Sequence, residues 1–332
     1  MPDGGVYLSG QGSLTLGDVQ TANLAPLVVT AGDLTVADTL SAGDTSLSAL
    51  TLTVDAGASV TTGPGHALAA RADTLNLLGT LSAGDISLSA LALTVDAGAG
   101  ATAGDTLAVR ADTLNLLGTL SAGQSGLVTV TPFTITRDID LGGTGPGTDL
   151  VLSDSALGRV TAGTLRVGDA TAYLGDITVT GDVTRRPGDD TLSLQTQGRI
   201  NTANGARLAA ANLALQAGGG IGTAGPMAID AAHLAFASHS GPIQISDASA
   251  VALTGVDTLP ASSIPGDVFS SAVVGSVFTL LHTNGGVSGQ VTYQGQPLAE
   301  GATLTLADGH RYQISYQGGA NHHDVTLTRV AD

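Results

Sequence analysis

The chain has no cysteine, no tryptophan and no lysine, and its single glutamate is Glu300. Without cysteine there are no disulfide bridges and no thiolate metal sites. Without lysine, eleven arginines stand against 28 acidic residues, a formal net charge of −17. That balance suits neither nucleic acid, where phosphate neutralisation needs clustered basic side chains, nor anionic lipid. Of the acidic residues, 27 are aspartate. Aspartate favours turns and glutamate favours helices, so the bias speaks against helix. Aromatic residues number nine in 332, so a core has to be built in thin layers of Leu, Val, Ile and Ala. No run approaches the roughly 20 apolar residues of a membrane helix, and no membrane insertion is expected. The start, Met1 to Gly10, lacks the basic and apolar regions of a signal peptide, so no export signal is expected in this chain.

What is present is enough apolar content for a core, 42%, and an excess of turn formers. Glycine is 47 of 332, with ten Gly-Asp dipeptides from Gly17-Asp18 to Gly266-Asp267. One unit is written twice. Residues 40–58 and 81–99 differ only at Thr45/Ile86 and Thr51/Ala92, and residues 71–80 and 110–119 are identical. The repeat is 41 residues the first time and 39 the second, and the loss falls in a Gly-rich segment, as a loop tolerates. Within it, Leu50-Thr51-Leu52-Thr53-Val54 alternates, with Leu50, Leu52 and Val54 expected to face inward. A second echo, residues 210–215 against 231–236, has a spacing of 21.

Each repeat therefore reads as two coils of about 20 residues, with short strands and glycine corners. The fold class expected is all-β: a right-handed parallel β-helix, a solenoid, with a small C-terminal antiparallel β-module. Some twelve coils stacked at about 4.8 Å would form a rod roughly 55–60 Å long. The division expected is 1–255 β-helix, with the internal repeat at 40–80 and 81–119, then 256–268 as linker and 269–332 as cap. The linker is suggested by Pro260, Pro265 and the loss of alternation. Five of the nine aromatics lie beyond it. A cap would cover the solenoid's open edge, which would otherwise template aggregation.

Two stretches carry a resemblance. Residues 218–247, with Gly220-Ile221-Gly222 and Ser240-Gly241-Pro242-Ile243, resemble coils of filamentous-haemagglutinin-like exoproteins. The ending, from Val277-Phe278-Thr279-Leu280-Leu281 to Tyr312–Gly319 and Asp324–Thr328, resembles the C-terminal module of bacterial surface proteins with autotransporter-type strand repeats. Those usually read Gly-Asn-Asp-Val where this chain has Asn321-His322-His323-Asp324. The resemblance implies a β-helix, export to the cell surface or medium, and membership of a longer exported chain. It implies no catalytic residues and no cofactor.

Candidate sites were weighed against plainer readings. His322, His323 and Asp324 form the densest ionisable cluster, a metal or acid/base candidate. Neighbours on a turn point in different directions, which favours a surface hairpin tip. Gly142–Asp149 is similar to a calcium-binding nonapeptide, but Gly147 stands where Asp should. Arg71 with Asp73, and Arg110 with Asp112, would share a strand face as exposed pairs. Asn76 and Asn115 occupy equivalent positions and would stack as a structural ladder. Thr-x-Thr runs raise an ice-binding face, which Ala92 interrupts.

The function expected is a non-enzymatic structural or adhesive segment of a bacterial surface or secreted protein. It would act as a rigid stalk with repeated weak contacts to a protein or glycan of a host or neighbouring cell. The alternative is a polysaccharide lyase or hydrolase on the same fold, which requires acids converging with Arg or His in one cleft.

Overall fold

A computed structural model describes residues 5–144, 147–185, 191–203, 205–264 and 273–332. It is nearly all-β, a parallel β-solenoid of about 11 turns with a small antiparallel sheet near the C-terminus. No helix of the described residues is long and apolar enough to cross a membrane. The chain divides into two compact units, residues 1–137 with 146–166, and residues 138–145 with 167–332.

In the first unit each coil supplies three short strands, and equivalent strands pair in parallel. One stack runs Val6–Ser9, Leu27–Thr30, Thr45–Ser48, Ala67–Arg71. A second runs Ser13–Leu16, Asp33–Val36, Thr51–Val54, Thr74–Leu77. The third begins Val19–Gln20, Thr39–Ala42, Ser59–Thr62. The long strands Thr80–Val95 and Gly100–Leu116 pass through all three stacks. Alternation puts every second side chain inside. Leu34, Leu52, Leu75 and Leu93 then lie one above another on successive coils, all buried. Leu40, Val60 and Leu81 are likewise successive rungs, so the 41-residue repeat spans two coils. The residues missing from its second copy fall at the turn Gly63–His66. The first copy has that turn between two strands, and the second runs straight through.

Two expectations about this unit need correction. Leu50 and Leu91 do not face inward: they are 63% and 42% exposed, while Leu52, Val54, Leu93 and Val95 are buried. Leu50 precedes the strand Thr51–Val54 and sits in the corner, where period-2 alternation no longer applies. Asn76 and Asn115 do not stack on each other. Thr94 lies between them in register, and the column reads Thr35, Thr53, Asn76, Thr94, Asn115. Neither asparagine side chain hydrogen-bonds within the described residues, so no amide ladder forms.

The second unit has its own column of isoleucines: Ile139, Ile177, Ile200, Ile221 and Ile243, each stacked on the last and all buried. The echo at residues 210–215 and 231–236 is two adjacent coils, with Leu213 on Leu234 and Leu215 on Phe236. Of the expected linker, residues 256–264 are closely packed, and 265–268 lie outside the described residues. Val256 and Leu259 cover Ala214 and Ala235 on the outer face of the coils. Below them the Gln195 amide donates to Ser193 Oγ, Asp257 Oδ2 and Thr258 Oγ1 at 2.9–3.1 Å.

Parallel stacking continues past this segment. Residues 281–283 lie on 245–247, and Val287–Gly289 lies on Val251–Leu253. The strand Val277–Thr283 is also the first of the antiparallel strands. It pairs with Asp324–Arg329, which pairs with Arg311–Gly318, which pairs with Thr303–Thr305. Tyr312 anchors this sheet, fully buried, with its hydroxyl donating to Asp308 at 2.6 Å. Burial raises its pKa above the usual phenol range, and Asp308 adds to the effect.

Glycines explain why the repeat is invariant where it is. Asp55–Ala58 and Asp96–Ala99 are matching turns, closed by Ala58 N–H to Asp55 and Ala99 N–H to Asp96 at 3.0 Å. Gly57 and Gly98 supply the left-handed residue, at φ +85° and +88°. The next coil passes directly over each turn at Gly79 and Gly118. A Cβ at Gly79 would stand 2.3 Å from the Ala58 oxygen and 2.5 Å from that of Asp55; at Gly118 the distances to Ala99 and Asp96 are 2.2 and 2.5 Å. A Cβ at Gly17 would meet nothing within 4 Å. Gly79→Ala is therefore expected to cost about 1–3 kcal/mol, and Gly17→Ala to stay within about 0.5 kcal/mol. Denaturant unfolding of the two variants checks this, and equal effects would contradict the packing account.

Candidate functional site

The expected cluster at the hairpin tip is only partly a cluster. His322 is exposed, with a left-handed backbone at φ +58°. His323 uses its N–H on Asn321 Oδ1 at 3.3 Å. Asp324 turns away from both and is buried. Its Oδ1 accepts from His282 Nδ1 at 2.8 Å and from the Thr283 N–H at 3.4 Å. Gly319 makes this possible, since a Cβ there would stand 2.1 Å from Asp324 Oδ2. The aspartate therefore works with a histidine 42 residues earlier, and the pairing is long-range, with no local sequence signal.

The His282–Asp324 pair borders an open cavity of about 500 Å³. Its walls are apolar, from Pro226, Pro242, Ile243, Val277 and Phe278, and Ser246 and His282 stand at one end. Ser246 is the residue stacked directly under His282. With Asp324 accepting at Nδ1, the Nε2 atom is left for another partner. No hydroxyl hydrogen-bonds to that nitrogen among the described residues, so the trio lacks the nucleophile–base contact of a hydrolytic triad. A second hollow, of about 580 Å³, has Gln197, Ser238 and Ser240 in its lining. Each of these side chains donates to a backbone carbonyl: Gln197 to Thr171, Ser238 to Ser240, and Ser240 to Gly218.

Two of the other candidates are structural. Arg110 and Asp112 are not an exposed pair, because Asp112 is buried and each side chain bonds another segment. The Arg110 guanidinium lies over the Phe133 ring at 5.8 Å and donates to the Phe133 carbonyl, while buried Asp112 accepts from Thr134 N–H and Oγ at 2.7 and 2.6 Å. Arg71 ends its strand and Asp73 is in the corner, so that pair is not on one strand face. Of Gly142–Asp149, residues 145–146 lie outside the described residues. Thr148 Oγ donates to Asp149 Oδ1 at 3.0 Å. No group of three or more acids or histidines among the described residues is placed to hold a metal ion.

Aspartates instead serve the backbone in a recurring way. Asp44 accepts the N–H of Ala67 at 3.0 Å, and Asp85 that of Thr106 at 3.1 Å. In the second unit Asp138 accepts from Asp176, Asp176 from Arg199 and Asp182 from Arg207, at 2.7–2.9 Å. Each side chain reaches the residue in register with it one coil on, and all but Asp85, which lies within Thr80–Val95, stand just before a strand. Four of these five follow a glycine: Gly43, Gly84, Gly175 and Gly181. The Gly-Asp dipeptide thus turns the corner and tethers the next coil. Asn201 does the same for Thr223 at 2.8 Å.

Environment pushes two carboxyls in opposite directions. The Ala67 N–H bond, and then His66 at 3.1 Å, hold Asp44 below the usual carboxylate range. Burial pushes Asp247 above it, against hydrogen bonds from the Ser249 and Ala231 N–H groups.

The class these features define is a parallel β-solenoid with strands in three stacks and aspartate tethers between coils. Comparison with protein-family models, with curated proteins and with solved structures finds no match.

Two outcomes are expected. Asp176→Ala costs about 1 kcal/mol, as loss of a helix cap does, measured by denaturant unfolding. The pH dependences of Asp44 and Asp247 have opposite signs. Asp44, with its lowered folded pKa, contributes stability above the ordinary carboxylate pKa of about 4 that is lost as pH falls through the folded value. Asp247, with its raised pKa, contributes stability that is full at low pH and lost as pH rises through the folded value. On acidification from pH 7 to 3, the Tm advantage of wild type over Asp44→Asn should shrink, while wild type should gain on Asp247→Asn. Parallel shifts in the two variants would contradict this.

Proposed function

We propose that the chain is a non-enzymatic structural and adhesive segment of a bacterial surface or secreted protein, of the filamentous-haemagglutinin-like and autotransporter-type kind. The observation that carries the reading is the disposition of the acids. Five aspartates, Asp44, Asp85, Asp138, Asp176 and Asp182, tether successive coils, where a glycosidase or lyase would gather its acids in one cleft. The residues facing outward between the corners are largely Thr, Ser and Ala, suited to many weak contacts repeated coil after coil. The partners proposed are a protein or glycan of a host or neighbouring cell, and the location is outside the cell or on its surface. The C-terminal resemblance to exported surface proteins supports that location.

The test is a screen of purified protein against neutral and acidic polysaccharides and immobilised cell-surface protein, following both product release and retention. Retention without turnover is the expected result. Turnover lost on changing a single aspartate would replace this reading with the polysaccharide-degrading one.

A further inference from the structure

The strand Val277–Thr283 has a partner on each side over only part of its length. Residues 281–283 lie parallel on 245–247, while 277–279 and Leu281 pair antiparallel with 325–328, so that 277–279 lack the parallel partner. The register breaks between Thr279 and Leu281, and Leu280 and Leu281 are both buried, two consecutive side chains turned the same way. That is a β-bulge, and it bends the strand away from the coil beneath. Had the register of 245 against 281 continued, Ile243 would pair with Thr279. It does not, and the cavity of about 500 Å³ opens where that rung would be.

Both walls of the gap present strand edges without a strand partner among the described residues. Ile221 donates to the Pro242 carbonyl and accepts from the Gln244 N–H, at 2.8 and 2.9 Å. In a parallel ladder the residue between them, Ile243, points its own N–H and C=O the other way, into the gap. On the opposite wall the Ser276 carbonyl accepts from Arg329 N–H at 2.8 Å. By alternation the peptide groups of Val277 and Thr279 face away from that partner, also into the gap. The side chains between these edges are mainly apolar, Pro242, Ile243, Val277 and Phe278, with Gln244 and Thr279 also in the lining. Phe278 is braced edge-on against buried Tyr312, ring centroids 6.3 Å apart.

We propose that this gap is a strand-acceptor slot. It takes an extended peptide of a partner protein, with apolar residues at alternate positions and no acidic side chain, as an added strand between Ile243 and Thr279. Main-chain pairing supplies the affinity and the apolar walls select the side chains. The volume is in the range of ordinary ligand sites, and the chain's net charge of −17 disfavours an acidic peptide. The inference rests on the adhesive reading and gives its partner a chemistry.

The experiment is a fluorescence-anisotropy titration of the full chain with a labelled Gly-Thr-Val-Thr-Val-Thr amide. The same peptide N-methylated at alternate amides serves as the control. Val277→Asp tests the wall. Val274→Asp, at a position 62% exposed and outside the cavity, controls for surface charge. Saturable binding is expected, weakened at least tenfold by N-methylation and by Val277→Asp but less than twofold by Val274→Asp. Circular dichroism would confirm that both variants keep the fold. No saturable binding at millimolar peptide, equal binding of the N-methylated peptide, or indifference to Val277→Asp would each overturn the slot. None of these results touches retention of the wild-type protein on polymers or cell-surface protein, which decides the adhesive reading separately.

Discussion

Everything in this protein depends on one coil lying in register on the next. A parallel strand pairs its backbone with the strand below, and its inward side chain lands on the equivalent side chain of that strand. The columns Leu34–Leu52–Leu75–Leu93 and Ile139–Ile177–Ile200–Ile221–Ile243 are the result. A single coil has almost nothing to bury, so stability is a property of neighbours. The same constraint accounts for the composition. A column accepts side chains of similar width, which favours Leu, Val and Ile and leaves little place for aromatics. Phe236, the one aromatic buried within a rung column among the described residues, lies on Leu215.

Register also gives the aspartates their purpose. The first residue of each strand leaves a corner, where the geometry of the ladder is weakest. A carboxylate one coil below, in register with it, fixes its N–H there, as a cap fixes the first turn of a helix. Five of the 27 aspartates behind the net charge of −17 belong to this device. The glycines before three tethers, Gly43, Gly84 and Gly181, have a related cause, because a Cβ there would come within 1.9–3.0 Å of a backbone oxygen of the preceding coil. At Gly43 it would stand 1.9 Å from the Leu24 oxygen.

The period and the coil length were legible in the sequence because both follow from a local pattern repeated at fixed spacing. What was not legible depends on where corners fall. Leu50 looks like the start of an alternating run, and only the bend before Thr51 turns it outward. Asn76 and Asn115 are equivalent in the repeat, yet the repeat contains two coils, so equivalence places them two rungs apart with Thr94 between. Residues 254–264 have the proline and polar texture of a linker, but Val256 and Leu259 find a small-residue face made by Ala214 and Ala235 on two different coils. The His282–Asp324 pair joins a strand that closes the coils to one that belongs to the antiparallel sheet. Nothing in either segment announces the other.

The place where the stacking rule is broken is the informative one. A solenoid that ended on a bare rung would leave a full strand edge exposed, an invitation to unspecific pairing. Here the strand Val277–Thr283 lies between the parallel stack and the antiparallel sheet, parallel to residues 245–247 over 281–283 and antiparallel to Asp324–Arg329 along 277–281, with a bulge between Thr279 and Leu281. Leu280 and Leu281 absorb the bulge inside the core, and the geometry they impose pulls Val277–Thr279 off Ile243. The gap thus lies where the parallel stack meets the antiparallel sheet. Its apolar lining is the interior of the missing rung, and its backbone edges are the hydrogen bonds that rung would have made. A site that arises this way is shaped to accept a strand before any selection for a partner has acted on it.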